Sequence, residues 1–377
     1  MASLIPAPAL VRAIIVASLC ALAAPFALRA QDKPDLRVED DCVVMAYAPD
    51  GRIAYSVEHM FHVKKIVYER DDIWIVTPQG SKRHIVDGEK FARGPAPFSY
   101  KVDALAWSLD GKQLTAQFTT NKLTDAKGKA LPTTETLLLN DSGGEIAVSG
   151  GDSLVPAASN AVWLTDDATV AFLADPAPPG IFHSISEVVP ASGKTTPLFP
   201  DHGFAAVAWD QHSNGGIAIE NSTARNVSAQ LVSLDLEHQK IRDLAPIEGY
   251  AGGLTISPSG RYVSYFIDPE VIEVRDLSDP RRVGRAHVAF GKYFWSANES
   301  RILLKRGEDK QQSDLVWVAL PPLAVPPAGQ EPSMTEPNPH PIFHDLEYPN
   351  FAISPDGHSI AVIEFGRGWL LVYPLPE

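Results

Sequence analysis

The chain has 377 residues, 45% of them apolar and 21% charged, an ordinary globular composition that excludes disordered and fibrous classes. Its 46 acidic and 32 basic residues give a formal net charge of −14, and an acidic chain with no Lys/Arg block repels phosphate backbones, so nucleic acid is not an expected partner. Thirty-two prolines and 26 glycines promise many turns.

In chain order, the first element is an address. Met1 to Ala30 carry no acid and two arginines, Arg12 and Arg29, and Ala13 to Leu28 are almost wholly apolar. That stretch is short of the roughly 20 apolar residues of a membrane span. A basic flank, an apolar run and a small terminal residue fit a secretory signal cut after Ala30. Lipid attachment at Cys20 is the alternative, although Leu19 stands where a lipid signal calls for a small residue. Removal leaves 30 basic residues against the 46 acidic ones, a net charge of −16, and Cys42 as the single cysteine. One cysteine makes no internal disulfide, so the fold must stand on its core. The expected location is periplasmic or secreted, and no later segment is apolar enough to span a membrane.

From Met45 onward one phrase recurs: a short apolar run, a turn, then a second apolar run. It reads MAYAPDGRIAYSV (Met45 to Val57), LAWSLDGKQLTAQF (Leu105 to Phe118), LTISPSGRYVSYF (Leu254 to Phe266) and FAISPDGHSIAVIEF (Phe351 to Phe365). Weaker copies are AVWLTDDATVAFL (Ala161 to Leu173), AVAWDQHSNGGIAI (Ala206 to Ile219) and YFWSANESRILL (Tyr293 to Leu304). Aligned on Ala48, Ser108, Thr165, Asp210, Ser257, Ser296 and Ser354, the steps run from 39 to 60 residues, too irregular for a solenoid and normal for a propeller. In Ser354-Pro355-Asp356-Gly357, Pro presets φ, Asp can bond its own backbone and Gly takes the positive φ that closes a hairpin.

A second pair of short strands follows each hairpin. Ile73–Val76 precede Arg83–Val86, Thr136–Leu139 precede Glu145–Val148, and Leu231–Leu234 precede Lys240–Leu244. Each unit is thus one four-stranded antiparallel blade, and the expected fold is an all-β, seven-bladed propeller over residues 31–377. The last unit ends at a third strand, Trp369 to Pro374. Asp35 to Asp40 are expected to supply its fourth and close the ring, which removes an open edge.

These phrases resemble the PD40 or WD40-like repeat of the periplasmic protein TolB and of the propellers that precede prolyl-oligopeptidase-type catalytic domains. The match is closest at Ala48–Gly51, Ser257–Gly260 and Ser354–Gly357 and loosest around Asp210 and Ser296. The resemblance implies a rigid disc that binds a protein or cell-envelope component, with no cofactor, no metal and no catalytic residue, as a monomer. Peptidase chemistry of the oligopeptidase type is excluded, since no G-x-S-x-G motif and no hydrolase domain follows the seventh unit. TolB-like lyases of pectin fragments hold a metal on histidines at one face, which makes a metal-dependent lyase or hydrolase of saccharides or lactones, working at the central channel, the alternative function.

His59, His62, His183 and His202 fall near that face and are the candidate binding residues. His59 and His62 lie three apart, so on a strand they would face opposite sides. Gly151-Asp152-Ser153-Leu154 and Asp235-Leu236-Glu237-His238 match an esterase pattern by letter, but on turns of different blades, where its chemistry has no context. Trp107, Trp209 and Trp295 recur at one repeat position, with Trp163 one residue off, and read as packing between blades, with an aromatic-lined, sugar-binding channel as the rival. Three insertions interrupt the pattern: Thr119 to Thr133, with Lys122, Lys127 and Lys129; Asp175 to His183; and Pro321 to Pro349 with its nine prolines. Such proline density is expected to preclude regular structure, leaving a flexible loop or a partner-docking arm between the third and fourth strands of blade six. The expected binding surface is the face carrying Glu58 to Asp72 and Asp175 to His183, or this arm.

Overall fold

A computed structural model describes residues 33–376 apart from 64, 92–98, 125–129, 144–153, 157, 167, 175–181, 211–212, 222–228, 248–251, 290, 307–312, 347–349 and 365. The signal, Cys20, Glu145–Val148, Gly151–Ser153, Lys127, Lys129 and most of Asp175 to His183 therefore lie outside the described residues.

Seven four-stranded antiparallel sheets follow one another along the chain. Blade one is Cys42–Tyr47, Ile53–Val57, Asp72–Val76 and Lys82–Val86. Blade two is Tyr100–Trp107, Gln113–Thr124, Ala130–Asn140 and Leu154–Pro156, so its fourth strand lies beyond the expected Glu145–Val148. Blades three and four open on Ala158–Trp163 and Phe204–Asp210, five and six on Gly252–Ile256 and Tyr293–Trp295. Blade seven is Asn350–Ile353, Ser359–Glu364 and Trp369–Pro374, completed by Leu36–Val38 from the other end of the chain, with Arg37 opposite Leu371. The ring closes as the missing fourth strand required.

Second strands are buried on both faces because each blade stacks between two neighbours: all five residues of Ile53–Val57 are buried, and four of five in Val170–Ala174. That is why they read as continuous apolar runs and not as alternating ones. Outer strands such as Lys82–Val86 expose their first three residues. The core is accordingly a chain of apolar clusters between blades. Tyr55, Trp317 and Phe351 belong to the cluster that joins blades six, seven and one, and Ile73, Tyr100 and Phe118 to that of blades one and two. Each fully buried aliphatic side chain contributes about 1.5–3 kcal/mol.

The turn of each repeat works through a few hydrogen bonds. In blade two the Ser108 hydroxyl accepts from Gln113 N (2.9 Å) and donates to Asp110 (2.8 Å), and Asp110 accepts from Lys112 N (2.9 Å). Ser354 and Asp356 repeat this in blade seven, with Ser359 N and His358 N as donors. Gly357 closes that turn at φ 74°. Blade six departs in letters only: Asn298 takes the aspartate's place, and Glu299 adopts φ 57° where blades one, two, five and seven have Gly. The repeated tryptophans reach back one blade. Trp107 Nε1 donates to Ala46 O (3.2 Å), Trp209 Nε1 to Asn160 O (2.7 Å) and Trp295 Nε1 to Thr255 Oγ1 (2.9 Å). Trp163 is buried in the cluster between blades two and three. Thr119 to Thr133 prolong the middle hairpin of blade two, whose strands run to Thr124 and from Ala130.

The proline-rich segment corrects an expectation. Part of it is regular. Val283 and Ala324 exchange backbone hydrogen bonds (2.9 and 3.2 Å), Met334–Thr335 adds a parallel fifth strand beside Arg285–Ala286 of blade five, and His340–Leu346 forms the fourth strand of blade six. Proline is tolerated because these are edge positions, where a missing N–H costs no ladder bond. Gly284 lets the strap in: a Cβ there would stand 2.8 Å from Pro322 O. A buried ionic network lies in blade five beside the strap. Glu273, 1% exposed, accepts from Arg275 Nε (2.7 Å), from Arg285 Nε (2.8 Å) and from the Tyr265 hydroxyl. Glu331 of the strap adds a contact to Arg285 at 3.4 Å.

Candidate functional site

Connections between second and third strands, and between blades, share one face of the disc, here called the upper face. Among the described residues, blade one stands out there. Its second and third strands are joined by an extra two-stranded hairpin, Met60–Val63 and Ile66–Glu69. Met60 pairs with Glu69 and His62 with Val67, so these four share one side, and Phe61 and Tyr68 share the other. Tyr68 is buried, whereas Met60 is 53% and Val67 50% exposed. One side thus packs on the disc and the other faces solvent.

The crossing back into the blade is held by two adjacent aspartates. Asp72 Oδ2 lies 2.9 Å from His84 Nε2 and 3.3 Å from His59 Nε2, and Asp72 Oδ1 accepts from Gly88 N (2.8 Å). The His84 ring stacks on Trp74 with centroids 4.4 Å apart. Asp71 is fully buried: Oδ2 accepts from Val102 N (2.8 Å), and Oδ1 has no hydrogen-bond partner among the described residues. Burial, reinforced by the charges of Glu69 and Glu58, pushes its carboxyl up to about 7, against the pull of the Val102 hydrogen bond and of Lys101. Lys101 itself pairs with Glu69 at 3.4 Å.

Beside the hairpin, at the seam where blade seven meets blade one, an open cleft of about 600 Å³ is lined by Asp41, Glu58, Met60, Asn350, Glu364 and Arg367, among others. Its floor is backbone. Cys42 N donates to Gly368 O (2.8 Å) and Asn350 Nδ2 to Val43 O (2.9 Å). Gly368, at φ 63°, cannot carry a side chain, since a Cβ would stand 2.8 Å from Asp41 Cα. Burial and the Asp40 charge push the Cys42 thiol up to about 12, which leaves it protonated and inert. Asp40 anchors the closing strand's exit through the Tyr55 hydroxyl (3.0 Å) and Lys82 Nζ (2.8 Å).

The four candidate histidines separate into two places. His59 joins Asp72, while His62 stands exposed on the hairpin. His183 and His202 flank Phe204 at the junction of blades three and four: His183 exchanges backbone bonds with Phe204, and His202 stacks on its ring and contacts Glu220 at 2.6 Å. His238 and Asp235 meet at 2.8 Å on an exposed turn of blade four. Among the described residues no three His, Cys, Asp or Glu side chains are placed to hold a metal ion. The His59–Asp72–His84 set is a brace between strands. Sequence reading missed His84 and Asp72, which the strand register alone brings together. The cleft was missed as well, and the glycines at 366 and 368 were its one local signal.

Neither a protein-family model nor a curated protein matches this chain. Solved structures do. A chain of "Crystal Structure of Mitotic Checkpoint Complex" superposes with a TM-score of 0.55 at 10% identity, covering 92% of this chain and 95% of that one. The β-propeller domain of Myceliophteria thermophila Cps50 (Swd1) gives 0.54 at 11%, covering 91% and 99%. At such identities the likeness concerns the fold, and with the sheet topology it defines a seven-bladed β-propeller. No helix among the described residues is long and apolar enough to cross a membrane.

Proposed function

We propose that this chain is an exported, TolB-like propeller that acts as a non-catalytic scaffold, binding a protein of the cell envelope through its upper face. The observation that carries the reading is the hairpin of blade one, an addition to the repeat plan that presents Met60 and Val67 to solvent. Exposed apolar side chains on a rigid support mark an interaction surface. The apolar leader before Ala30 supports export, and the Ala48–Gly51 and Ser354–Gly357 turns support the TolB-like subtype.

The test is expression of the full chain in a Gram-negative host, osmotic-shock fractionation and N-terminal sequencing, followed by crosslinking from position 60. Release into the shock fluid with Gln31 first, together with one reproducible envelope adduct, is the expected result. A chain retained in the cytoplasm with Met1 intact would overturn the export reading.

A further inference from the structure

The hairpin and the seam cleft share Met60, so a ligand seated in one touches the other. Their chemistry differs. The cleft is acidic: Asp41, Glu58 and Glu364 line it against a single arginine. That Arg367 is already engaged, 3.4 Å from Glu364 and with its guanidinium 4.8 Å from the Trp369 ring centroid. The hairpin's outer side carries the half-exposed Met60 and Val67, with His62 and Glu69 beside them. Glu58 stands two residues before Met60, so an occupant that touches both must carry groups for carboxylates and for apolar side chains. Nucleic acid and anionic lipid surfaces are repelled by the same carboxylates. A small cation would fill the cleft and leave the hairpin bare.

We infer that the seam between blades seven and one, with the hairpin beside it, docks an extended polypeptide segment in which lysine or arginine alternates with apolar residues. The inference rests on the scaffold reading and names the chemistry of its partner. The basic side chains enter between Glu58 and Glu364, and the apolar ones lie on Met60 and Val67. Charge complementarity speeds the encounter and fixes the register, and the apolar contacts hold it.

The probe is a fluorescein-labelled peptide of alternating lysine and leucine, followed by polarisation against the full chain, with a glutamate–leucine peptide as its mirror. The lysine peptide should bind and weaken with salt, and the glutamate peptide should not bind. Glu58→Gln with Glu364→Gln should weaken binding tenfold or more, and Met60→Ser with Val67→Ser at least fivefold. Glu237→Gln with Asp243→Asn removes equal charge from exposed positions of blade four and should stay within twofold. Melting curves report whether each pair folds, and the hairpin pair lies on the exposed side, so it tests the site even if the cleft pair unfolds. No binding of the lysine peptide, or equal loss in the blade-four control, would overturn the inference. Cytoplasmic retention with intact peptide binding would instead fail the export reading alone.

Discussion

Two of the insertions into the repeat plan end differently. The strap of blade six returns its backbone hydrogen bonds to blade five, beside Glu273, which accepts from Arg275, Arg285 and Tyr265. The hairpin of blade one pairs with itself and stands over Asp71, whose Oδ1 has no partner among the described residues. Both regions bury a carboxyl. One is saturated and the other is half satisfied. Low dielectric strengthens a complete polar network and penalises an incomplete one, so the strap region should be rigid and the hairpin region should sit under electrostatic tension.

Removing the saturated carboxyl should have the largest effect. Glu273→Ala strands two arginines in the interior and is expected to cost about 3–5 kcal/mol, read as a lowered melting midpoint and early proteolysis of residues 321–339. An unchanged midpoint would mean that the network contributes no stability. Changing the other carboxyl should act with the opposite sign. Asp71 titrates near 7 in the folded chain and near 3.8 unfolded, so the unfolded state sheds its proton first. Stability therefore falls as pH rises from about 4 to 7 and is flat above that window. Asp71→Asn keeps an acceptor for Val102 N and should raise stability at pH 8 by roughly 2–4 kcal/mol, with little change at pH 4. A gain equal at both values would refute the ionisation account.

Smaller effects sharpen the contrast. Gly368→Ala forces a Cβ against Asp41 at a positive φ and should cost about 1–3 kcal/mol, with faster amide exchange confined to Leu36–Val38. Met60→Ser with Val67→Ser should shift stability by less than about 0.5 kcal/mol, as expected for surface positions. A large loss there would show that the hairpin's outer side is structural after all.

The fold was legible because its turn chemistry is local. Ser354, Asp356 and Gly357 bond within five residues, and even blade six, with Asn298 and Glu299, keeps the geometry. The vacancy after Trp369–Pro374 foretold the closing strand. The strap was misjudged because proline content forbids helices but says nothing about a glycine some forty residues earlier, Gly284, that makes room for an edge strand. The candidate site was the least legible. His59 and His62 are neighbours in sequence, yet His59 meets His84 through Asp72, two strands away. The cleft joins Val43 to Asn350 across 307 positions, a distance that no motif spans.

Leu36–Val38 pair with Leu370–Val372, so the strand made first waits for the strand made last. During synthesis, six blades can form their internal ladders while the ring stays a horseshoe with two bare flanks. Closure is then a single late event that converts an open arc into a disc, and it assembles the acidic seam at the same moment. A chain interrupted before Trp369 would hold every residue that lines the cleft but not the strand that pairs with Leu36–Val38, so nothing would ladder the two sides of the seam together. The seam therefore depends on closure, because residues more than 300 positions apart form its two sides.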